Sequence, residues 1–137
     1  MKNAVHYRLI SFVLLLLAGA CSGTVFGQDV NSRIAAAIKT ANAKDLSSYF
    51  NNTIDLTTPG NEGTYSKAQA EMIVKSFFSK YPPSSFTLNH NGKSNDGSHF
   101  AIGTYKSGAT QFRAYFLVKV MSGQQLIHQL KFESEDD

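Results

Sequence analysis

Between residues 29 and 50 the apolar positions Val30, Ile34, Ala37, Ile38 and Ala41 recur at helical spacing and give one narrow apolar face. Asn42, with Asp45 three residues on, forms a variant of the capping box, so a second short helix is expected to start there and end near Phe50. Residues 52–58 alternate, with Ile54 and Leu56 two apart among β-branched neighbours, which predicts a strand that Pro59-Gly60 breaks. Ser66-Lys67-Ala68-Gln69 is a capping box of the S-x-x-Q form. It opens a helix carrying Ala70, Ile73, Val74, Phe77 and Phe78 on one face, and Pro82-Pro83 stops it. Four strand-like runs follow, over 85–90, 99–105, 111–121 and 124–133, punctuated by Asp96-Gly97, Ser107-Gly108 and Ser122-Gly123. The predicted order is α-α-β-α-β-β-β-β: an α+β fold with one curved antiparallel sheet and helices grouped on one face.

Two-residue turns at Ser122-Gly123 and Gly108-Ala109 set a register. The first places Leu117 opposite His128, Tyr115 opposite Leu130 and Arg113 opposite Phe132. The second places Ile102 opposite Tyr115, Phe100 opposite Leu117 and Thr104 opposite Arg113. One face then carries Phe100, Ile102, Leu117, Leu126, Leu130 and Phe132, with Arg113, Tyr115 and His128 among them. The other carries Tyr105, Phe112, Phe116, Val118 and Ile127 beside Gly103 and Ala114. The first face has the denser run of aliphatics and is assigned to the helices, and a one-residue slip would exchange the two.

On that assignment Arg113, Tyr115 and His128 are the polar lining of an apolar pocket, with Arg113 holding a carboxylate or phosphate and the other two orienting it. The plainer account makes them a rim charge, a core ring and a hydrogen-bonded imidazole. The second face is apolar where a solvated sheet should be polar. Tyr105, Phe112, Phe116, Val118 and Ile127 therefore read as a docking or homodimer face, against the plainer account of scattered exposed apolar residues.

The formal charge is +3, from 13 Lys and Arg against 10 Asp and Glu. Part of that excess lies in residues 1–27, which have the layout of a secretory signal: Lys2 and Arg8 without an acid, then an apolar run over 9–20 too short to span a bilayer, then small residues. Cleavage after Gly27 is favoured and releases an exported periplasmic or extracellular protein. The competing reading takes Leu17-Ala18-Gly19-Ala20-Cys21 as a sequence that resembles a bacterial lipobox, with its leucine one place too far from the cysteine. Cys21 would then be lipidated and hold the protein at the cell envelope. Without residues 1–27 the count is 11 basic against 10 acidic residues, so the hint of an anionic partner disappears. What remains is a single domain over 28–133 and a short acidic end over 134–137.

The element order resembles the cystatin-like α+β roll of the nuclear transport factor 2-like (NTF2-like) superfamily, whose cone encloses a pocket. More narrowly, the runs DLSSYFNNTIDLTTPGNEGTYSKAQAE, FAIGTY and FRAYFLVK…LIHQLKFE resemble an uncharacterised family of exported Bacteroidetes proteins, DUF4783. The resemblance spans nearly all of the mature chain and implies a fold and an envelope location, with no catalytic motif to carry over. Sheet-to-sheet dimerisation is common in the superfamily.

Little in the sequence points to chemistry. Cys21 is the lone cysteine, so a disulfide scaffold and a thiolate zinc site are excluded. His90, His99 and His128 are dispersed without carboxylates at ligand spacing, so no metal or other cofactor is expected. No Gly-rich phosphate loop, G-x-S-x-G elbow or H-E-x-x-H helix occurs. Lys67, Lys75 and Lys80 decorate one helix without interleaved aromatics, so nucleic acid is not an expected partner. Three functions stay open: non-catalytic binding of a small ligand or peptide in the roll, which leads; a homodimerising or docking module; and an isomerase- or dehydratase-like enzyme using His128 with Tyr115.

Overall fold

The structure, a computed structural model, describes residues 29–136. The segment read as a secretory signal, Cys21 and the two readings of its processing lie outside the described residues. Helix α1 (Val30–Lys39) starts where expected: the Asp29 carboxylate accepts a hydrogen bond from the Ser32 N–H at 2.8 Å, which satisfies one of the free donors of the first turn. The helix stops short of Ala41, which adopts a left-handed conformation (φ 53°). Asn42 then caps α2 (Ala43–Ser47) by accepting from the Asp45 N–H at 3.0 Å. Helix α3 (Lys67–Lys80) carries both bonds of the Ser66/Gln69 capping box.

Six strands form one sheet: β1 (Phe50–Thr58), β2 (Asn61–Ser66), β3 (Ser85–Lys93), β4 (His99–Ser107), β5 (Thr110–Met121) and β6 (Gln124–Ser134). Their spatial order is β2-β1-β6-β5-β4-β3. Strand β2 is an addition to the predicted order. It folds back on β1 through the two-residue Pro59-Gly60 turn, where Gly60 takes φ +85°. It is also polar and exposed along most of its length, so no apolar alternation announces it. β1 and β6 pair in parallel while every other pair is antiparallel, so the sheet is mixed.

The β4–β5 hairpin has the expected register, with Ile102 opposite Tyr115, Phe100 opposite Leu117 and Thr104 opposite Arg113. The β5–β6 hairpin keeps its expected turn, with Met121 opposite Gln124, but a bulge follows. Val118 faces Ile127, whereas Leu117 faces Gln129, so β6 holds one extra residue at His128. Beyond it every partner moves by one: Leu130 faces Phe116 and Phe132 faces Ala114. Leu130 and Phe132 therefore cross to the face of Phe116.

That crossing reverses the assignment of faces. Tyr105, Phe112, Phe116, Val118 and Ile127 are not a docking surface; each is at most 1% exposed beneath the helices. The inner face is built from aromatic rings set beside Ala101, Gly103 and Ala114, and the small residues leave room for rings from α3 and β3. At Gly103 a Cβ would stand 2.7 Å from the Thr87 carbonyl oxygen and 2.9 Å from the Phe86 ring. Phe77 of α3 stacks on Phe132 at 4.5 Å between ring centroids and meets Phe112 edge-on at 5.2 Å. The Tyr105 hydroxyl donates to the Tyr81 carbonyl, just past the end of α3. Burial pushes its ionisation well above the ordinary tyrosine range. Density of aliphatics misassigns the faces because the bulge carries Leu130 and Phe132 inward and aromatic rings make up much of the core beside them.

Candidate functional site

Arg113, Tyr115 and His128 lie on the outward face of the sheet. Arg113 is exposed, in register with Glu133 and Thr104. Tyr115 is half-buried and stacks on Phe100, with ring centroids 6.3 Å apart and planes inclined by 21°. His128 sits at the bulge; its Nε2 is shut off from solvent without a hydrogen-bond partner. Burial lowers its pKa first, helped by the positive charge of Lys119 and opposed by Asp55. The three do not converge: Arg113 stands four residues along β5 from Leu117, beside the bulge, which is roughly 13 Å of strand. Neither of the hollows described next includes any of them.

The principal hollow, a cleft of about 880 Å³, opens at the other end of the inner face, between α1 and the ends of the central strands. Asp29, Asn31 and Arg33 reach it from α1, Ser48 and Tyr49 from the turn after α2, and Lys93 and His99 from β3 and β4. Gln124 and Gln125 close it from the start of β6. These positions are brought together by three separate facts of the fold. Capping by Asp29 fixes the start of α1, packing holds α1 against α2 and β3, and the β5–β6 hairpin projects beyond its neighbours.

The cleft is polar and carries both signs of charge. Hydrogen bonds from Ser32 hold the Asp29 carboxyl below the usual carboxylate range, and nearby His99 adds to the effect. Asn31 contributes an amide oxygen, Oδ1, that is closed off from solvent and lacks a partner. Among the described residues no three His, Cys, Asp or Glu side chains come together as a metal-holding set. A second hollow of about 410 Å³ lies on the far side of Arg33, reaching Thr40 and Asp45, and shares Arg33, Ser48 and Tyr49 with the first.

None of these cleft residues except His99 stands out in the sequence, and His99 does so only as a candidate metal ligand. Arg33 and Asn31 flank the narrow apolar stripe of α1, where polar residues read as a solvated face. The available signal was indirect: a helix with so narrow a stripe covers little of the sheet beneath it.

A model of a domain of unknown function, DUF4783, matches residues 31–133, from the second residue of α1 to the last but one of β6. The chain belongs to the DUF4783 family. A DUF4783 protein from Bacteroides ovatus is 30% identical, with a TM-score of 0.73 over 81% of this chain and 100% of that one. Another, from Bacteroides uniformis, is 28% identical, with a TM-score of 0.74 over 80% and 100%. A cystatin-fold protein from Novosphingobium aromaticivorans is 10% identical, with a TM-score of 0.58 over 74% and 92%, and shares the fold alone. No curated protein matches the chain. The DUF4783 chain thus has the α+β fold shared by NTF2-like and cystatin-fold proteins, and the matched span includes Arg33, Tyr49, Lys93 and His99 of the cleft.

Proposed function

We propose that this DUF4783 protein is an exported, non-catalytic binding protein that takes a small ligand or a peptide segment in the cleft between α1 and the sheet. The observation that carries this reading is the contrast between a packed interior and a polar opening of about 880 Å³ at its end. A cleft of that size, with a few fixed polar groups, suits a small molecule. Catalysis in the interior of the roll would call for a titratable group there. Tyr105, the one titratable group fully buried in the core among the described residues, is committed to the Tyr81 carbonyl. The test is an amide-shift screen of the protein against sugars, amino acids and dipeptides. Shifts confined to Tyr49, His99 and Gln125 are expected, and shifts centred on Tyr115 and His128 would contradict the assignment.

A second reading has one observation in its favour. Phe100, Ile102, Tyr115 and Leu117 form a half-buried apolar cluster on the outward sheet face, which a homodimer would cover. Sedimentation of the wild type and of Tyr115→Ser checks it: a dimer that Tyr115→Ser dissociates supports docking through this face, and a monomer at all concentrations removes it.

A further inference from the structure

The two hollows adjoin. They share Arg33, Ser48 and Tyr49, so a ligand longer than a single small ring is able to touch both. Four formally charged side chains of helix and strand face them: Asp29, Asp45, Arg33 and Lys93. The two carboxylates are already engaged. Asp29 accepts from the Ser32 N–H at 2.8 Å, and Asp45 accepts from the Asn42 amide Nδ2 at 2.8 Å.

The two cations are not engaged. Lys131 with Glu133 is the one ion pair among the described residues, so neither Arg33 nor Lys93 has a carboxylate partner there. Arg33 stands where the hollows meet, and a guanidinium without an internal partner is suited to two parallel hydrogen bonds with a carboxylate. The amides of Asn91, Gln124 and Gln125 line the same cleft, and each offers both a donor and an acceptor. Hydroxyl groups also donate and accept, so an amide-rich lining matches a polyhydroxyl chain. A peptide would instead draw its specificity from apolar pockets at alternate positions. Tyr49, the one phenol ring on either lining, supplies a flat apolar surface of the kind that takes the C–H face of a sugar.

We propose that the adjoining hollows bind an acidic oligosaccharide, with a uronate carboxylate on Arg33 at their junction and its hydroxyls on the flanking amides. This rests on the binding function proposed above and names its ligand class. The test is calorimetric titration of the protein, produced from the full 137-residue chain, with trigalacturonate, its neutral methyl ester and triglutamate, alongside amide shifts. Trigalacturonate should bind at least tenfold more tightly than the ester, as expected for a charge-assisted bidentate pair. Arg33→Ala should remove that ratio and Arg33→Lys keep part of it, since a point charge lacks the fork. Lys93→Ala should lower affinity for the acid alone, and Gln125→Ala affinity for both sugars. Equal affinity for acid and ester, or tighter binding of triglutamate, overturns the acidic-sugar assignment. If either of those ligands still shifts Tyr49 and Gln125, the cleft remains a binding site and only its ligand class is wrong. If none of the three shifts them, the acidic-sugar assignment falls, and the screen of sugars, amino acids and dipeptides decides the binding function.

Discussion

The inner face of the sheet is finished in opposite ways at its two ends. Toward the end of α3, Phe77 lies within 6.0 Å, centroid to centroid, of Phe78, Tyr81, Tyr105, Phe112 and Phe132, and the space is filled with rings. Toward the start of α1, Val120 is 45% exposed and the lining mixes amide, hydroxyl and charged groups with Val30, Val120 and Leu126. The same sheet supports both ends, so the difference lies in the helices. α3 brings two adjacent phenylalanines over a floor of small residues, while α1 turns only a narrow stripe inward and leaves Asn31 and Arg33 beside an opening. One end is filled with rings and the other is left open.

Substitutions can break that contrast in order of size. Phe77→Ala removes the ring at the centre of the packed end and should cost about 3–5 kcal/mol in urea unfolding. A cost below about 1 kcal/mol would mean the rings are loosely held. Gly103→Ala forces a methyl against the Thr87 carbonyl and the Phe86 ring, and should cost about 1–3 kcal/mol by the same measurement. Tyr105→Phe leaves the Tyr81 carbonyl without its donor and should cost about 1–2 kcal/mol.

The same tyrosine gives a pH signature. Its ionisation is raised in the folded state above the ordinary value of 10.0. Its stabilising effect is therefore complete below about pH 10 and is lost as the pH rises beyond it, because only the unfolded chain then gives up the proton. Stability curves recorded from pH 8 upward should fall past about pH 10 in the wild type and fall less in Tyr105→Phe. At the open end, Arg33→Ala should leave stability within about 0.5 kcal/mol of the wild type, the usual result for an exposed residue without a buried partner. A larger loss would make Arg33 a structural residue rather than a ligand anchor.

What could be read from the sequence follows the range of the interactions. Both helix caps at Asn42 and Ser66 and the two tight turns at Gly108-Ala109 and Ser122-Gly123 depend on neighbouring residues, and each forms as its local chemistry requires. The bulge at His128 has no side-chain signature of its own, yet it moves Leu130 and Phe132 across the sheet and so exchanges core for surface. Strand β2 escaped because only Tyr65 in it is even half-buried. The cleft was hidden for a different reason. Its lining comes from α1, the turn after α2, β3, β4 and the β5–β6 hairpin, and no single stretch of chain carries the pattern. Arg113, Tyr115 and His128 attracted attention as polar residues amid apolar ones, but that mixture belongs to an outward sheet face partly covered by the Phe100–Tyr115 stack.

The most direct test of the open end as a binding site is native mass spectrometry of the protein purified from the cell that makes it, beside Arg33→Ala prepared in the same way. A bound small molecule on the wild type that is missing from Arg33→Ala is the predicted result. The same adduct on both proteins, or a bare protein in both, would contradict it.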